Sequence, residues 1–509
     1  MTIPLLTDVA ARAGVSRSTA SRVLNGSPSV SPTARLAVWR AVTDLGYHVD
    51  ESARALAQRG TKHRQAGSPT NLLTEEQLAR AAMFPADFLW GVGTSAHQYD
   101  GNNSASDYWA LENTGIPLFA ERSGDAIDSY RRWPEDIRLA ATLGLTSYRL
   151  SIEWARVEPV RGHYSVAERE RYRDMLRCCR DHGLEPMVIL QHITHPAWFT
   201  ENDGWAAPES SAAFTEYVQF LSPILEDVRY VATINEPNIL ATLGAVGGLI
   251  RAADPMSEFN AISAPHPEQR GLLGAATAPT PDERIVDGLT RAHESARAAL
   301  RNETAAQIGW TVSMQPFVAQ PGFEEDAAAL TRLWEAPFLD VSRQDDWVGV
   351  QTYTSWSVGP NGPEAPGTRR TQLDWGFQPD AVGVALRHAW TATGGVPLLV
   401  TENGVATADD TERVEYLDGA TSAVWDAVSD GLDVRGYFHW TFMDNFEWAS
   451  GFEVAFGLVS VDRETFARTP KGSARWLEQF ARAHGRASAR NGGPRECQDS
   501  DGAIGSASP

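Results

Sequence analysis

The sequence predicts an α/β fold, a (β/α)8 TIM barrel preceded by a small all-α helix-turn-helix domain. Three observations carry that reading. From residue 83 onward, eight strand-like runs alternate with helix-like segments, the signature of a closed parallel barrel. The polar residues of those runs gather at or just past their C-terminal ends. Ahead of them, in residues 1–60, three short helical patterns are separated by turn residues and carry a basic surplus.

In the head, Thr7 is a candidate N-cap for a helix over Asp8–Ala13, which Gly14 ends. Ser16 caps a second helix, Arg17–Leu24, closed by Asn25-Gly26. A third has Ser31 as cap, Pro32 at its first position and Gly46 beyond its end. Its apolar residues Leu36, Trp39, Val42 and Leu45 recur every three positions, which makes one buried face. Arg17, Ser18 and Arg22 project from the second helix, where Arg can pair with guanine and Ser can reach a base edge or a phosphate. A small helical cap with a solvated basic face is the alternative for such a helix set. Residues 61–82 read as a linker, polar through Gly67-Ser68-Pro69, with a short helix suggested by TEEQLARAA.

In the body, residues 83–485, the strand-like runs are 88–96, 147–154, 185–192, 230–237, 307–317, 346–354, 397–404 and 434–442. A doubly wound open sheet is the structural alternative, but no GxGxxG follows an early strand. Gln98, Arg149, His192, Asn235, Glu236, Tyr353, Glu402 and Trp440 fall at the strand ends, which in a barrel converge on one mouth. Any one of them can merely cap a loop; seven strands supplying one rim point to a site. Glu236 and Glu402 belong to the fourth and seventh strands. Opposed carboxylates suit glycosidic cleavage, one as proton donor and one as nucleophile. That chemistry needs them unequal, and Arg149 can hold one of them ionised, aided by the Tyr353 hydroxyl.

Composition sets the remaining bounds. The 509 residues carry a net charge of −21. Residues 1–65 hold nine Arg and Lys against four Asp and Glu, a surplus of +5, which leaves −26 on the rest. Cys178, Cys179 and Cys497 show no metal or disulfide spacing, so reduced thiols in a cytoplasmic protein are expected. MTIPLLTDVAARAG has neither the basic nor the apolar region of a signal peptide, and no run of 18 apolar residues suggests a membrane span. Seventeen Trp fit either a sugar-binding cleft or a core. Residues 486–509, rich in Gly and Ser, read as a disordered tail.

Two resemblances sharpen this. TDVAARAGVSRSTASRVLNG and VSPTARLAVWRAVTDLGYHVDESARALA resemble the DNA-binding headpiece of the lactose-repressor family. The resemblance implies double-stranded DNA as a partner, Glu51–Gln58 as a hinge helix and Leu56 as a minor-groove wedge. Val49-Asp50 stands where that family has Pro-Asn, and its dimerising sugar-sensing domain is missing. FLWGVGTSAHQYDG, YRLSIEWARVEP, ATINEPN, LLVTENG and GYFHWTFMDNFEWASGFEVAFGLVSVD resemble glycoside hydrolase family 1, the β-glucosidase family, from about Phe84 to Phe480. By that resemblance Glu236 is the acid/base and Glu402 the nucleophile of a retaining enzyme, with Arg149 and Tyr353 as its supports. Gln98, His192, Asn235, Glu447 and Trp448 match residues that bind sugar hydroxyls, and Trp440 matches the platform under the ring. No metal or organic cofactor is implied.

The departures bear on substrate. Ile193 stands where the family has Trp and Gln351 where it has Asn, and residues 250–283 depart from the family loop. The Ser-x-x-x-Lys-x-Tyr pattern of enzymes for 6-phosphorylated sugars is replaced by Glu447 and ASGFEVAF, which favours unphosphorylated sugars. The expected function is a β-glycosidase with an added DNA-binding head. A regulator using the barrel as sugar sensor and a transglycosylase are the alternatives.

Overall fold

The computed structural model describes residues 6–15, 38, 41, 72–243 and 281–491. The chain divides into two compact units, Met1–Thr70 and Asn71–Pro509. In the first, the opening helix runs over Leu6–Ala13, so Thr7 lies inside it rather than capping it. Gly14 ends it as expected: at φ +66° it donates to Ala11 O at 3.2 Å, while Val15 donates to Ala10 O at 3.0 Å. Those two bonds satisfy carbonyls that the last turn leaves free, and the backbone angle suits Gly. Arg17, Ser18, Arg22, Leu56 and the hinge segment lie outside the described residues.

The second unit is the barrel. Its strands are β1 (Leu89–Gly93), β2 (Ser147–Ser151), β3 (Glu185–Ile189), β4 (Tyr230–Asn235), β5 (Gln307–Ser313), β6 (Val348–Gln351), β7 (Leu398–Asn403) and β8 (Val434–His439). They close in sequence order, with β1 paired to β8. Every pairing is parallel, which follows from a helix returning the chain between strands. Each strand is shorter than its apolar run because the last residues turn out into the mouth. After β1, for example, Ser95 precedes a one-turn helix, Ala96–Asp100.

Leu89, Met187, Ile189, Tyr230, Ala232, Trp347, Leu399 and Phe438 form a buried cluster contributed by the strands and the residue before β6. Gly91 is required there, since a Cβ on it would come within 2.4 Å of the Phe438 ring. Helices cover the outside, among them 129–142, 166–181, 210–221, 283–303, 381–393, 410–429 and 472–491. Trp90, Trp154, Trp310, Trp347 and Trp476 are fully buried, so much of the tryptophan is core.

Two boundaries differ from the sequence reading. The linker read as 61–82 is too long: helix Glu75–Met83, capped by a reciprocal Thr74–Gln77 box, packs into the barrel unit. Ala81 and Leu73 are buried, Arg80 pairs with Asp418, and Leu72 N donates to Gln479 Oε1 at 2.8 Å. Nor does the tail begin at 486, because the last helix continues to Asn491. Of residues 250–283, only 281–283 lie among those described. There Asp282 caps helix Glu283–Glu303 through the Arg284 amide.

Candidate active site

The residues read from the barrel sequence gather at one mouth, Arg149 from mid-strand and the others from at or just past the strand ends. Glu402, near the end of β7, is reached through a register irregularity between Val400 and Glu402 against β6. Such a shift re-aims a side chain. Its Oε1 lies 2.8 Å from Arg149 Nη1, and the Tyr353 hydroxyl donates to its Oε2. Arg149 is not at a strand end. It is the third residue of β2, fully buried, and its length carries the guanidinium up into the mouth. Tyr353 is held from behind, where Tyr416 Oη donates to its carbonyl at 2.8 Å.

Glu236 follows β4 at φ +49°, with Pro237 opening the next helix. Three of the nine non-glycine residues at positive φ among those described are Ile193, Glu236 and Trp448. Strain of this kind persists only where surrounding contacts impose it. Asn235 Oδ1 accepts from Arg149, from Thr311 Oγ1 at 2.8 Å and from Gln351 Nε2 at 2.9 Å. Gln351 thus uses its amide to reach Asn235.

Burial and the Glu402 charge push the Glu236 carboxyl up to about 8, against the pull of the Ser313 hydroxyl and Arg149. Burial also raises Glu402, opposed by Arg149 and the Tyr353 hydroxyl. In this interacting pair the cation and the phenol are bound to Glu402, so the shared proton resides on Glu236. Burial, then the Glu402 charge, lifts Glu447 to about 8. His192 is pushed well below its ordinary range by burial and by Arg149, and is neutral.

The sugar-facing candidates carry unsatisfied atoms. Gln98 Nε2 donates to Phe446 O at 3.0 Å, Asn445 Oδ1 at 3.2 Å and Glu447 Oε2 at 3.3 Å, leaving its own Oε1 without a partner among the described residues. His192 Nδ1 and Asn235 Nδ2 are likewise buried and unpartnered. Buried polar atoms left open in this way mark places for ligand hydroxyls or water. The His192 ring lies nearly parallel to Trp440 (14°) and Trp448 (13°), with centroids 5.8 and 6.5 Å away. A Cβ on Gly93 would meet the Trp440 ring at 3.0 Å, so that glycine gives the indole its room.

Sequence reasoning found no partner on the fifth strand. Thr311 and Ser313 fill that gap, and the strand-end rule reaches Ser313, the last residue of β5. Asn238 holds it in turn, donating from Nδ2 to Ser313 O at 2.6 Å. Among the described residues, no group of three or more His, Cys, Asp or Glu is placed to hold a metal ion, and no helix is long and apolar enough to cross a membrane.

One protonated and one cation-bound carboxyl at a barrel mouth, ringed by open hydrogen-bonding groups and indoles, can protonate a leaving oxygen and attack the carbon it leaves. Known proteins resemble the chain in sequence and fold. The family model Glycosyl hydrolase family 1 matches residues 80–263 and 338–486, and the model for bacterial regulatory proteins of the lacI family matches residues 5–50. Thermostable beta-glucosidase B of Thermobispora bispora is 30% identical over 458 residues, covering 79% of this chain and 91% of that protein. The bifunctional beta-D-glucosidase/beta-D-fucosidase of Bifidobacterium breve is 29% identical over 460 residues, covering 79% and 99%. Among solved structures, the beta-glycosidase BGL167 has 42% identity and a TM-score of 0.70, covering 78% of this chain and 97% of its own. A beta-glycosidase from Pyrococcus horikoshii has 30% identity and a TM-score of 0.68, covering 81% and 98%. The chain belongs to glycosyl hydrolase family 1 and is a glycoside hydrolase.

Proposed function

We propose that the chain is a retaining β-glycosidase, acting first on β-glucosides, with Glu236 as acid/base and Glu402 as nucleophile. The observation that carries this is the asymmetry of the two carboxyls: Arg149 and the Tyr353 hydroxyl hold Glu402, while Glu236 keeps its proton up to about 8. Glu236 donates that proton to the glycosidic oxygen as a Glu402 oxygen attacks the anomeric carbon. The carbon–oxygen bond to the leaving alcohol breaks and a glycosyl ester forms. Water then attacks the same carbon, Glu236 takes its proton, and the ester bond to Glu402 breaks to free the sugar.

Gln98, His192, Asn235, Glu447 and Trp448 grip the sugar's hydroxyls in this reading, and Trp440 lies under its ring. Glucose, fucose and galactose are the candidate glycones. The first two appear in the names of the relatives above, and Glu447 and Gln98 together offer a two-pronged grip on distal hydroxyls. Glu402→Gln tests the assignment. It should lower kcat on an aryl β-glucoside by roughly 10⁴-fold or more while sugar binding persists; retention of a tenth of the turnover contradicts it.

A second reading concerns the head. The match over residues 5–50 and the +5 surplus of residues 1–65 support binding to double-stranded DNA, with Arg17, Ser18 and Arg22 at the major groove and Leu56 at the minor.

A further inference from the structure

His97 takes no part in the reaction above, yet it stands beside the site and is wholly buried with Glu112. Its ring is nearly parallel to Trp448, at 2° with centroids 5.7 Å apart. Trp448 is in turn within 13° of His192, and His192 within 14° of Trp440. Four near-parallel rings therefore run from the one-turn helix 96–100, which carries His97, to Trp440, which clusters with the Tyr353 that bonds to Glu402. Tyr108 meets Trp448 edge-on at 5.1 Å, closing a second side of the indole.

The polar end of His97 is equally fixed. Its Nε2 lies 3.0 Å from Glu112 Oε1 and its Nδ1 3.1 Å from Asn103 Nδ2. Glu112 Oε2 accepts from the Ser123 amide and hydroxyl, both at 2.8 Å. Glu112 thus ties the helix turn to the segment around residue 120, and that segment holds the loop beyond Glu447. Ala120 N donates to Ala449 O at 2.8 Å, and Glu121 sits 3.0 Å from where a Cβ on Gly451 would lie. Gln98, next to His97, holds the Phe446 carbonyl and the Glu447 carboxyl. The stretch 445–451 is therefore gripped by two parts of the chain that the His97–Glu112 pair joins. Trp448, at φ +46°, needs such support, because an isolated residue does not stay in that region.

We propose that His97, clamped by Glu112, is a positioning residue that fixes the Trp448 ring against His192 and so sets glycone selectivity at the hydroxyls that Gln98, Glu447 and Trp448 meet. The inference rests on the β-glycosidase reading. A rotated indole would leave Glu236, Glu402 and their supports in place, so the effect falls on sugar binding and not on the chemical step.

The test compares His97→Ala, His97→Phe and Glu112→Gln in the full chain, on aryl β-glucoside, β-galactoside and β-fucoside, with Tm recorded for each. His97→Ala should raise KM about tenfold with kcat changed less than about threefold, and should move the glucoside-to-galactoside ratio of kcat/KM by about fivefold or more. His97→Phe keeps a flat ring but cannot bond to Glu112 or Asn103, so its ratio should fall between those of His97→Ala and the parent, while the pH profile stays as in the parent. A fall in Tm with all three sugars scaled equally would overturn the proposal, since that is what a merely structural residue does. Should His97→Ala fail to fold, Glu112→Gln decides, because it keeps the side-chain volume but weakens the clamp; an unchanged ratio there is equally contrary. Turnover of the parent chain tests the glycosidase reading separately. If the parent turns over none of the three, the selectivity is still read from calorimetric Kd values for glucose and galactose, and an unaltered Kd ratio in the variants overturns the inference.

Discussion

Glu236 and Glu402 are chemically the same side chain, and what separates them is which groups each one touches. In the proposed mechanism Glu236 acts protonated, so turnover should fall as pH rises through about 8, where it loses its proton. In the same proposal Glu402 acts ionised and sets the acid limb. Tyr353→Phe removes a donor to the ionised form, so that limb should move to higher pH and kcat/KM should drop about 10- to 100-fold. A pH–rate profile of the two proteins reads both effects. Glu447 offers a stability test with a defined sign. Its folded value, about 8, lies above the unfolded value near 4.5, so its presence costs stability as pH rises between those values and costs nothing below them. Glu447→Gln should therefore melt above the parent at pH 8, with the gap closing toward pH 4.5. An equal gap at both pH values contradicts the burial of that carboxyl.

Elements carry the site because a parallel barrel delivers its strand ends to one face, which is why the site was largely legible. Gln98, His192, Asn235, Tyr353 and Trp440 were found from position alone, since alternation of apolar runs and helices locates strand ends to within a few residues. What was not legible has local physical causes. Arg149 was read as a strand-end residue of the mouth but reaches it from mid-strand, because a long side chain can climb where a short one cannot. The irregularity that aims Glu402 depends on pairing with β6, which no single strand announces. His97 and Glu112 are 15 residues apart with no chemical motif between them, and only the folded loops bring them together.

Helix 75–83 was half-read: the Thr74–Gln77 capping signal was present, but nothing in the polar run before it marks where the linker stops. A chain starting at Met83 should lose about 2–4 kcal/mol of stability, from exposing the surfaces under Leu73 and Ala81 and leaving Asp418 without Arg80. A chain starting at Asn71 should melt within a degree or two of the full one. Thermal denaturation of the two truncations distinguishes them.

Across the whole molecule, a head of +5 is joined to a body of −26. On the proposed DNA-binding reading, phosphate contacts would favour the head at low salt and the body would oppose them, so binding of a single chain to a palindromic duplex should be weak and steeply salt-dependent. Residues 1–65 alone, artificially dimerised, should bind more tightly, and Arg22→Ala should weaken that binding; removal of the head should leave turnover nearly unchanged. Fluorescence anisotropy measures the first two, and nanomolar binding by full-length monomer at physiological salt would contradict the charge argument.

The account as a whole turns on Glu402 as nucleophile, and hence on two displacements at one carbon. A nucleophile and acid/base in this arrangement should stand about 5–5.5 Å apart, too close for a water to attack from the opposite face. Proton NMR of the sugar first released from an aryl β-glucoside, recorded before mutarotation, tests this most directly. The account predicts the β-anomer; first release of the α-anomer would contradict it.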